Sequence, residues 1–562
     1  MQIQPVFQSI GTLLQGRLFR IPEYQRAYSW QEKQRGDLFR DIEKVYKSGT
    51  DSTHFMATIV GLRRNKKTIA ADEYVDVEIV DGQQRLTTLI VLLKALAKAL
   101  KNNDGKYAAE IESLLVKGDD LSLLLLQTNH DSTHTFIDYL RHGTVPGGQA
   151  TTAADQNVAD AISECEEFVK KWSSLGRPLI QLFATIKNRL SVIFHEIEDE
   201  ALVYTVFEVL NSRGLDVTWF DKLKSLLMAI VFEYGDQGSK KEIATELHSL
   251  WTDIYETIGL HQNLNKETVR FAGTLRLKKS PNRPLAEEQA VQVLIEYCNN
   301  QPKAVVDCTK WVLRITKAEG RLLADHRLRA ATRIVQARLV AIAVLLREFP
   351  KLEEKAILRC WENVTFRTFG LGRRDARTKV GDYVRLAWSV INDDLSSKDI
   401  IDGLKKIGQE FPIDAVVKKL KMTDCYNGWT EELRYFFFRY EEHLASVAGH
   451  ALNQSQWNKI WADEPSKSIE HIRPRSKGSE DPSTTGIFVH RLGNLMMLPP
   501  GVNSKLKDKE PKDKASSYNS CGLLLAIQVG GEIVKGKGKW DRKAVDAREV
   551  QLIQWASEEW KD

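Results

Sequence analysis

Three short segments near the C-terminus combine residue types that can hydrolyse a phosphodiester. Their key members are Glu470 and His471 in residues 468–474, Asn494 in residues 490–495, and Asn503 in residues 503–505. Hydrolysis needs a base that deprotonates water and a cation that neutralises charge on the leaving oxygen. A histidine beside a carboxylate, with further oxygen ligands, supplies both, because Mg²⁺ needs only one or two protein oxygens. The segments together predict a metal-dependent nuclease site.

Basic residues surround these segments. His490 is either an extra phosphate or metal contact or a structural histidine beside a turn. Lys505 and Lys509 belong to a lysine run diluted by acidic residues. Such a run is either a solvated face or a sequence-independent anchor for DNA phosphates.

A second group of polar residues lies near the N-terminus, between a strand and a helix. Residues 75–80 alternate as in a strand, and residues 86–100 have helical apolar spacing. Between them stand Asp81, Gly82, Gln83, Gln84 and Arg85. A helix start with a flexible glycine and a bidentate arginine suits a phosphate. The alternative is a well-capped helix start.

Two further segments could support this group. Residues 21–30 place Arg26 among Tyr24, Tyr28 and Trp30, a pattern suited to stacking on nucleic acid and contacting phosphate. Residues 207–214 bring Asn211 and Arg213 close in sequence to Asp221 and Lys222. The chain has no Gly-x-x-x-x-Gly-Lys-Ser/Thr loop, so nucleotide binding would not use P-loop geometry. Arg85 is then the natural residue for charge neutralisation.

The rest of the chain indicates how these groups are positioned. Residues 190–197 predict a second strand and residues 201–210 a helix. Between about 220 and 450, long amphipathic segments predict an all-helical region, at 221–234, 285–299, 325–349, 352–362, 380–395 and 430–446. In that region, residues 435–440 indicate core packing, and the basic residues 372–379 are either a DNA contact or an exposed loop between helices.

Length and composition limit the class of protein. A chain of 562 residues with 43% apolar and 28% charged residues is typical of a protein with two to four domains. Its net charge of +5 permits nucleic-acid binding without requiring it. Six cysteines without a Cys-x-x-Cys pair predict reduced thiols in the cytoplasm. No signal peptide or membrane span is predicted, and residues 334–346 indicate a buried helix.

Both groups of motifs resemble one known family. The C-terminal segments resemble the HNH (ββα-metal) domain of the GmrSD family, with its (Asp/Glu)-His-Ile-x-Pro, Leu-Gly-Asn-Leu and Asn motifs. The Asp-Gly-Gln-Gln-Arg and Ile-Pro-x-Tyr-Gln-Arg motifs resemble its ParB-like N-terminal domain. The resemblance implies an α+β multidomain fold: a ParB-like α/β domain at 1–230, an all-helical region at 231–450 and an HNH nuclease domain at 451–562.

The resemblance also implies a role for each residue. His471 is the general base, Asn494 orients the loop that carries it, and Glu470 and Asn503 reach Mg²⁺ or Mn²⁺ directly or through water. Lys509 matches the family's trailing lysine, although the aromatic residue that usually precedes that lysine is absent. The nucleotide, GTP or ATP, is bound by the following residues: Asp81, Gly82, Gln83, Gln84 and Arg85, with Arg26, Asn211 and Arg213 in support.

The implied function is an anti-phage DNA endonuclease controlled by a domain that binds and hydrolyses NTP. Known members cut phage DNA that carries modified cytosine, whereas SspE-like relatives sense phosphorothioate-modified host DNA. The expected partner is phage or modified DNA, and a homodimer would allow a double-strand break. Two alternatives stay open: a DNA-binding or nucleotide-sensing module with an inactive or partner-dependent nuclease site, and a toxin directed at RNA.

Overall fold

The computed structural model describes residues 5–561, apart from 23–24, 26, 49–53, 70, 118–121, 124, 128–133, 146–149, 199–217, 237, 260–262, 330–332 and 477–486. Tyr24, Arg26, Asn211, Arg213 and the predicted helix at 201–210 therefore lie outside the described residues. Contacts divide the chain into two compact units. Unit 1 is Met1–Arg276 with Leu285–Lys317, and unit 2 is Leu277–Pro284 with Ala318–Asp562. The domain limits at 230 and 450 stay predictions.

Unit 1 is built on a mixed sheet. Its strands are β1 Pro5–Ser9, β2 Arg17–Ile21, β3 His54–Ile69, β4 Asp72–Asp81, β5 Val116–Lys117, β6 Ser122–Leu123, β7 Leu125–Gln127 and β8 Leu190–Ile197. Six of them form one sheet with the order β1-β8-β3-β4-β2-β7, and β5 and β6 form a separate short pair. β3 is parallel to β8 and antiparallel to β4, which is parallel to β2. The predicted strands at 75–80 and 190–197 are confirmed as β4 and β8.

Helices pack against this sheet. They are α1 Ile10–Leu13, α2 Glu32–Lys47, α3 Gln83–Leu100, α4 Gly105–Leu115, α5 Thr135–His142, α6 Ala153–Ser174 and α7 Leu179–Ala184, and α7 continues into the π-helix Thr185–Arg189. α3, the predicted helix after the Asp81–Arg85 group, is buried around most of its circumference. A helix that is apolar on nearly all sides belongs in a core. α3 therefore fixes the Asp81–Arg85 group against the centre of unit 1.

Helices alone follow between residues 218 and 450 wherever the structure describes that stretch, so the predicted helical region is confirmed there. Their bounds are Trp219–Tyr234, Lys240–Ile258, Asn263–Leu275, Glu287–Cys298, Pro302–Ala324, His326–Arg329, Val335–Leu346, Lys351–Thr365, Val380–Asn392, Ser397–Gly408, Ile413–Val417 and Thr430–Ala448, with the π-helix Phe366–Leu371 and the 3₁₀ turn Lys418–Leu420. The single segment predicted at 325–349 contains two helices instead. Val335–Leu346 is the expected buried helix.

The C-terminal part of unit 2 surrounds a small hairpin. β9 is Ile469–His471, and it pairs antiparallel with β10, Leu495–Met497. The other elements are the helices Gln454–Trp461, Pro465–Ser468, Pro500–Leu506, Pro511–Ser520, Leu524–Lys535 and Arg542–Glu559, and the 3₁₀ turns Phe488–His490 and Leu492–Asn494. Residues 435–440 lie in the core, as predicted, because all of them are buried. This core supports both strands of the hairpin.

The predictions on cysteines and membrane spans can also be compared with the structure. All six cysteines are free thiols, and Cys360 alone among them is partly exposed. Across the described part of the chain, none of the helices has the length and apolar character needed to span a bilayer.

Candidate active site

The β9–β10 hairpin positions the predicted catalytic residues. His471 pairs with Leu495, and Glu470 pairs with Met496. Successive side chains of a strand point to opposite faces, so Glu470 and His471 project to different sides of β9. The two residues that the sequence joins as one motif therefore have different surroundings.

His471 lies in a pocket of aromatic and histidine rings. Its side chain is largely buried, and its Nε2 lies 3.1 Å from Nδ1 of His490. The ring of Tyr426 stacks on His490 at 5.1 Å and meets His471 edge-on at 4.9 Å between ring centroids. The structure thus makes His490 a direct partner of His471 rather than a separate histidine beside a turn.

Burial and neighbouring charge decide the protonation state of this pair. Burial, followed by the charges of His490, Arg475 and Lys514, lowers the pKa of His471 to about 3, and Asp424 opposes the change. Burial also lowers the pKa of His490. Both rings are consequently neutral near pH 7, and a neutral imidazole can accept a proton.

Asn494 fixes the chain that follows His471. Its Oδ1 accepts a hydrogen bond from the backbone N–H of Arg473 at 2.8 Å, and its Nδ2 donates to the carbonyls of Arg473 and Val489 at 3.0 and 2.8 Å. The backbone N–H of Ile472 also donates to the Asn494 carbonyl at 2.9 Å. The side chain is completely buried. Asn494 therefore ties the residues after His471 to the start of β10, and its orienting role in catalysis stays a prediction.

Glu470 has partners that the sequence did not indicate. Its Oε1 accepts hydrogen bonds from Nζ of Lys514 at 2.7 Å and from the hydroxyl of Tyr518 at 2.6 Å. Lys514 also donates to the carbonyl of His471 at 2.8 Å. Burial raises the pKa of Glu470, and the charge of Lys514 opposes that rise. The lysine that contacts Glu470 and the backbone of His471 is therefore Lys514, whereas Lys509 is exposed, and the match of Lys509 to the family's trailing lysine stays a prediction.

The donor set can be compared with the needs of a magnesium ion. Asn503 donates through Nδ2 to the carbonyls of Lys467 and Ile469 at 2.8 and 3.2 Å, so its Oδ1 faces away from these bonds. Oε1 of Glu470 already accepts bonds from Lys514 and Tyr518, so an ion would have to reach the other carboxylate oxygen, and the role of Glu470 as a metal ligand stays a prediction. No group of three or more His, Cys, Asp or Glu side chains with metal-site geometry occurs among the described residues.

A segment that sequence reasoning missed completes the site. Both oxygens of Asp424 hold the turn that follows it, through the N–H groups of Tyr426 and Asn427 and the side chain of Asn427. The N–H of Cys425 donates to the carbonyl of His490 at 2.8 Å. These bonds place Tyr426 on the two histidines. The available signal was an aspartate three residues before an asparagine, which is typical of many turns.

The Asp81–Arg85 group in unit 1 is partly structural. Gly82 begins α3 with a φ of 92°, and a Cβ added there would lie 2.9 Å from Ile59. Gln84 accepts hydrogen bonds from the N–H groups of Ser29 and Trp30 at 2.7 and 3.3 Å and donates to the carbonyl of Ala27 at 3.0 Å. Asp81 and Gln83 flank Gly82, and Gln83 is buried. Gln84 thus anchors the preceding aromatic segment.

Tyr28 and Trp30 are core residues. Their relative exposures are 5% and 6%, and the Tyr28 hydroxyl bonds Thr88 at 2.8 Å. Their predicted role in stacking on DNA is contradicted, because buried ring faces cannot meet a base. The sequence pattern of these aromatic residues is the same whether the side chains face solvent or pack against a helix such as α3.

Arg85, unlike Gln83 and Gln84, is partly exposed, and its role in binding a ligand stays a prediction. Its guanidinium lies 5.7 Å from the Trp30 ring centroid and is partly exposed. Burial lowers its pKa, and the charges of Asp81 and Asp41 oppose that change.

In unit 2, Lys505 is exposed at the end of the helix Pro500–Leu506, as predicted for a residue open to solvent or DNA.

Comparison with known proteins gives the family. A family model described as the N-terminal domain of the GmrSD restriction endonuclease matches residues 10–228. A second, described as the C-terminal domain of GmrSD restriction endonucleases, matches residues 412–555 and includes the whole site from Asp424 to Lys514. The chain belongs to the GmrSD restriction endonuclease family, a class of nucleases that act on DNA. A search of curated proteins gives no match.

Proposed function

We propose that the C-terminal part of this chain is an HNH-type nuclease that hydrolyses DNA at His471 and acts against phages. The observation that carries the proposal is the neutral, buried imidazole of His471, whose Nε2 is 3.1 Å from His490 Nδ1. Asn494 supports it by fixing the backbone of the residues that follow. The family assignment supplies the substrate class, DNA.

The hydrogen bond between the two histidines suggests how His471 works. When Nε2–H of His471 donates to Nδ1 of His490, the lone pair on Nδ1 of His471 is available as a base. That nitrogen accepts a proton from water as the water oxygen attacks the phosphorus. The bond from the phosphorus to the leaving oxygen breaks, and the leaving oxygen takes a proton from solvent. A DNA phosphate beside the ring raises the pKa of His471, because an anion stabilises imidazolium. Substrate binding thereby strengthens the base at the moment it is needed.

A requirement for Mg²⁺ or Mn²⁺ is proposed from the family resemblance. Such an ion would neutralise charge on the leaving oxygen. Asn503 could offer one oxygen, whereas Glu470 is held by Lys514. The ion pair of Glu470 favours the second candidate function, a DNA-binding module whose nuclease site needs a partner to become active.

We also propose that the start of α3 binds GTP or ATP and controls cutting. The N–H groups of the first turn, the left-handed Gly82 and the partly exposed Arg85 suit a phosphate group. Asp81 and Gln83 are the neighbouring candidates, with Gln84 holding the segment in place. Cutting would in this way depend on the nucleotide state or the DNA-modification state that the N-terminal unit detects.

One experiment tests the nuclease proposal. Purified protein is incubated with Mg²⁺ or Mn²⁺ and plasmid DNA that is unmodified, glucosylated or phosphorothioated, with and without GTP or ATP. We expect nicking that His471→Ala abolishes. Cutting of glucosylated DNA alone indicates a type IV restriction enzyme, and nicking of unmodified DNA indicates an SspE-like role. No cutting of any DNA by the wild type would leave the binding module as the better explanation.

A further inference from the structure

Two exposed basic segments of unit 2 flank the turn that contacts the catalytic histidines. One is the loop 372–379, and the other is the 3₁₀ turn Lys418–Leu420 with the residue that follows. Six exposed basic residues belong to them: Arg373, Arg374, Arg377, Lys418, Lys419 and Lys421. We call them the basic surface. In the described part of the chain, none of these six side chains pairs with a carboxylate.

Arg373 attaches the loop to the turn. Its Nη2 donates to the carbonyl of Asp424 at 2.8 Å, and its guanidinium lies 5.2 Å from the Trp429 ring centroid. Its φ of 48° places the backbone in the left-handed region, which turns the loop sharply. The hydroxyl of Thr423 donates to the carbonyl of Lys419 at 2.9 Å and joins the lysine turn to the same segment.

The attached segment leads directly to the reaction centre. Cys425 donates through its N–H to the His490 carbonyl, and the Tyr426 ring contacts both His490 and His471. The guanidinium of Arg475 lies 5.8 Å from the Tyr426 ring centroid on this side. Positive charge is therefore placed next to the elements that hold His471.

Charge pairing separates Lys379 from the six residues of the basic surface. Lys379, at the end of the same loop, is bonded to Glu410 at 2.5 Å, so its charge is already compensated. The six basic residues have no such partner among the described side chains, and uncompensated arginines and lysines attract an anion. A DNA backbone carries closely spaced phosphates and releases counterions when these are neutralised.

We infer that the basic surface binds the phosphate backbone of double-stranded DNA and holds the scissile strand against His471. The inference rests on the proposed nuclease function and adds where the substrate lies. Backbone contacts of this kind position the duplex without reading its sequence. The basic surface is thus a substrate-binding site, separate from the residues that carry out the reaction.

The test uses a triple variant of the full chain, Arg377→Gln with Lys418→Gln and Lys421→Gln. These side chains are exposed and make no side-chain hydrogen bond to any described residue, so the fold should persist. Binding to a labelled duplex is measured by fluorescence anisotropy over a range of salt concentrations. We expect affinity to fall roughly tenfold or more near physiological salt, and the salt slope to fall by about 1 per lost contact.

A matched control removes the same charge elsewhere in unit 2. Lys351→Gln, Lys355→Gln and Lys398→Gln also remove three exposed positive charges and should leave affinity and salt slope unchanged. His471→Ala should bind duplex as the wild type does while cutting nothing. Nicking by the triple variant should show a raised KM with kcat close to that of the wild type.

The outcomes separate the two proposals. If the triple variant binds duplex with the affinity and salt slope of the wild type, or loses no more affinity than the lysine control, the inference is wrong. If wild-type protein binds duplex through the basic surface but does not cut it, the nuclease proposal fails, whereas binding of the DNA backbone by the basic surface stands. If the triple variant loses affinity for RNA but keeps its affinity for duplex DNA, the inference is also wrong.

Discussion

Glu470 and His471 are consecutive in β9, yet their side chains take part in two separate hydrogen-bonded groups. Glu470 accepts bonds from Lys514 and Tyr518 in the interior, whereas His471 meets His490. Strand alternation causes the separation. One residue of the motif thus supports the hairpin, and the other faces the place where chemistry is proposed.

The first prediction concerns the buried ion pair. Lys514→Met should lower the free energy of unfolding by about 3 kcal/mol or more, because it leaves the carboxylate of Glu470 buried without its cation. Lys514 is completely buried and Glu470 is 4% exposed, so water cannot replace the lost partner. The measurement is urea unfolding, with the exposed Lys512→Met as the control. Equal stability of the two variants would contradict a structural role for the pair.

The second prediction concerns His490. His490→Ala should lower kcat for nicking by roughly tenfold to a hundredfold with little change in KM, because His471 loses the partner that orients its ring. His490→Asn should restore much of the rate, since its Oδ1 can take the position of Nδ1 as an acceptor. Single-turnover nicking of a labelled duplex measures both. A variant His490→Ala with the rate of the wild type would show that the contact has no part in catalysis.

The elements that the sequence predicted well are those with strong periodicity. Apolar and charged residues alternate along β4, and apolar residues recur at helical spacing in α3. The burial of α3 follows because apolar residues lie on nearly every side of it. The site residues His471 and Asn494 are brought together because a three-residue ladder pairs β9 with β10. Their proximity was predictable from the motif, whereas the opposite orientation of Glu470 follows only once residues 469–471 are known to form a strand.

Other contacts could not be predicted because they depend on tertiary packing. Asp424 and Tyr426 lie far in sequence from His471 and carry no motif, and they reach it through a turn and two stacked rings. Lys514 is one of several lysines in a run. It is the buried one because of its position in the helix Pro511–Ser520, which the run of lysines does not reveal. Tyr28 and Trp30 become core residues since Gln84 binds the backbone beside them.

The third prediction concerns pH and stability. The pKa of His471 is about 3 in the folded chain and near 6.5 when unfolded, so the unfolded chain binds more protons between these values. Stability should therefore fall as pH falls below about 6.5, by about 1 kcal/mol between pH 7 and pH 5.5 from this group. Urea unfolding at both pH values measures the loss.

Two histidine variants serve as the comparison. His471→Gln should reduce the difference in unfolding free energy between the two pH values, because the group that titrates is gone. His450→Gln, at an exposed histidine of the same unit, should leave the difference unchanged. An identical pH dependence in His471→Gln and the wild type would show that His471 is not held neutral by the fold.

The fourth prediction separates the structural and ligand-binding parts of the Asp81–Arg85 group. Gln84→Ala should lower the free energy of unfolding by about 2 kcal/mol or more, because buried backbone groups of Ala27, Ser29 and Trp30 lose their partners. Arg85→Gln should leave stability nearly unchanged and abolish NTP hydrolysis, since the partly exposed guanidinium is the candidate for phosphate charge. Thermal unfolding and phosphate release measure the two effects. Full NTP hydrolysis by a folded Arg85→Gln protein would exclude Arg85 from the nucleotide site.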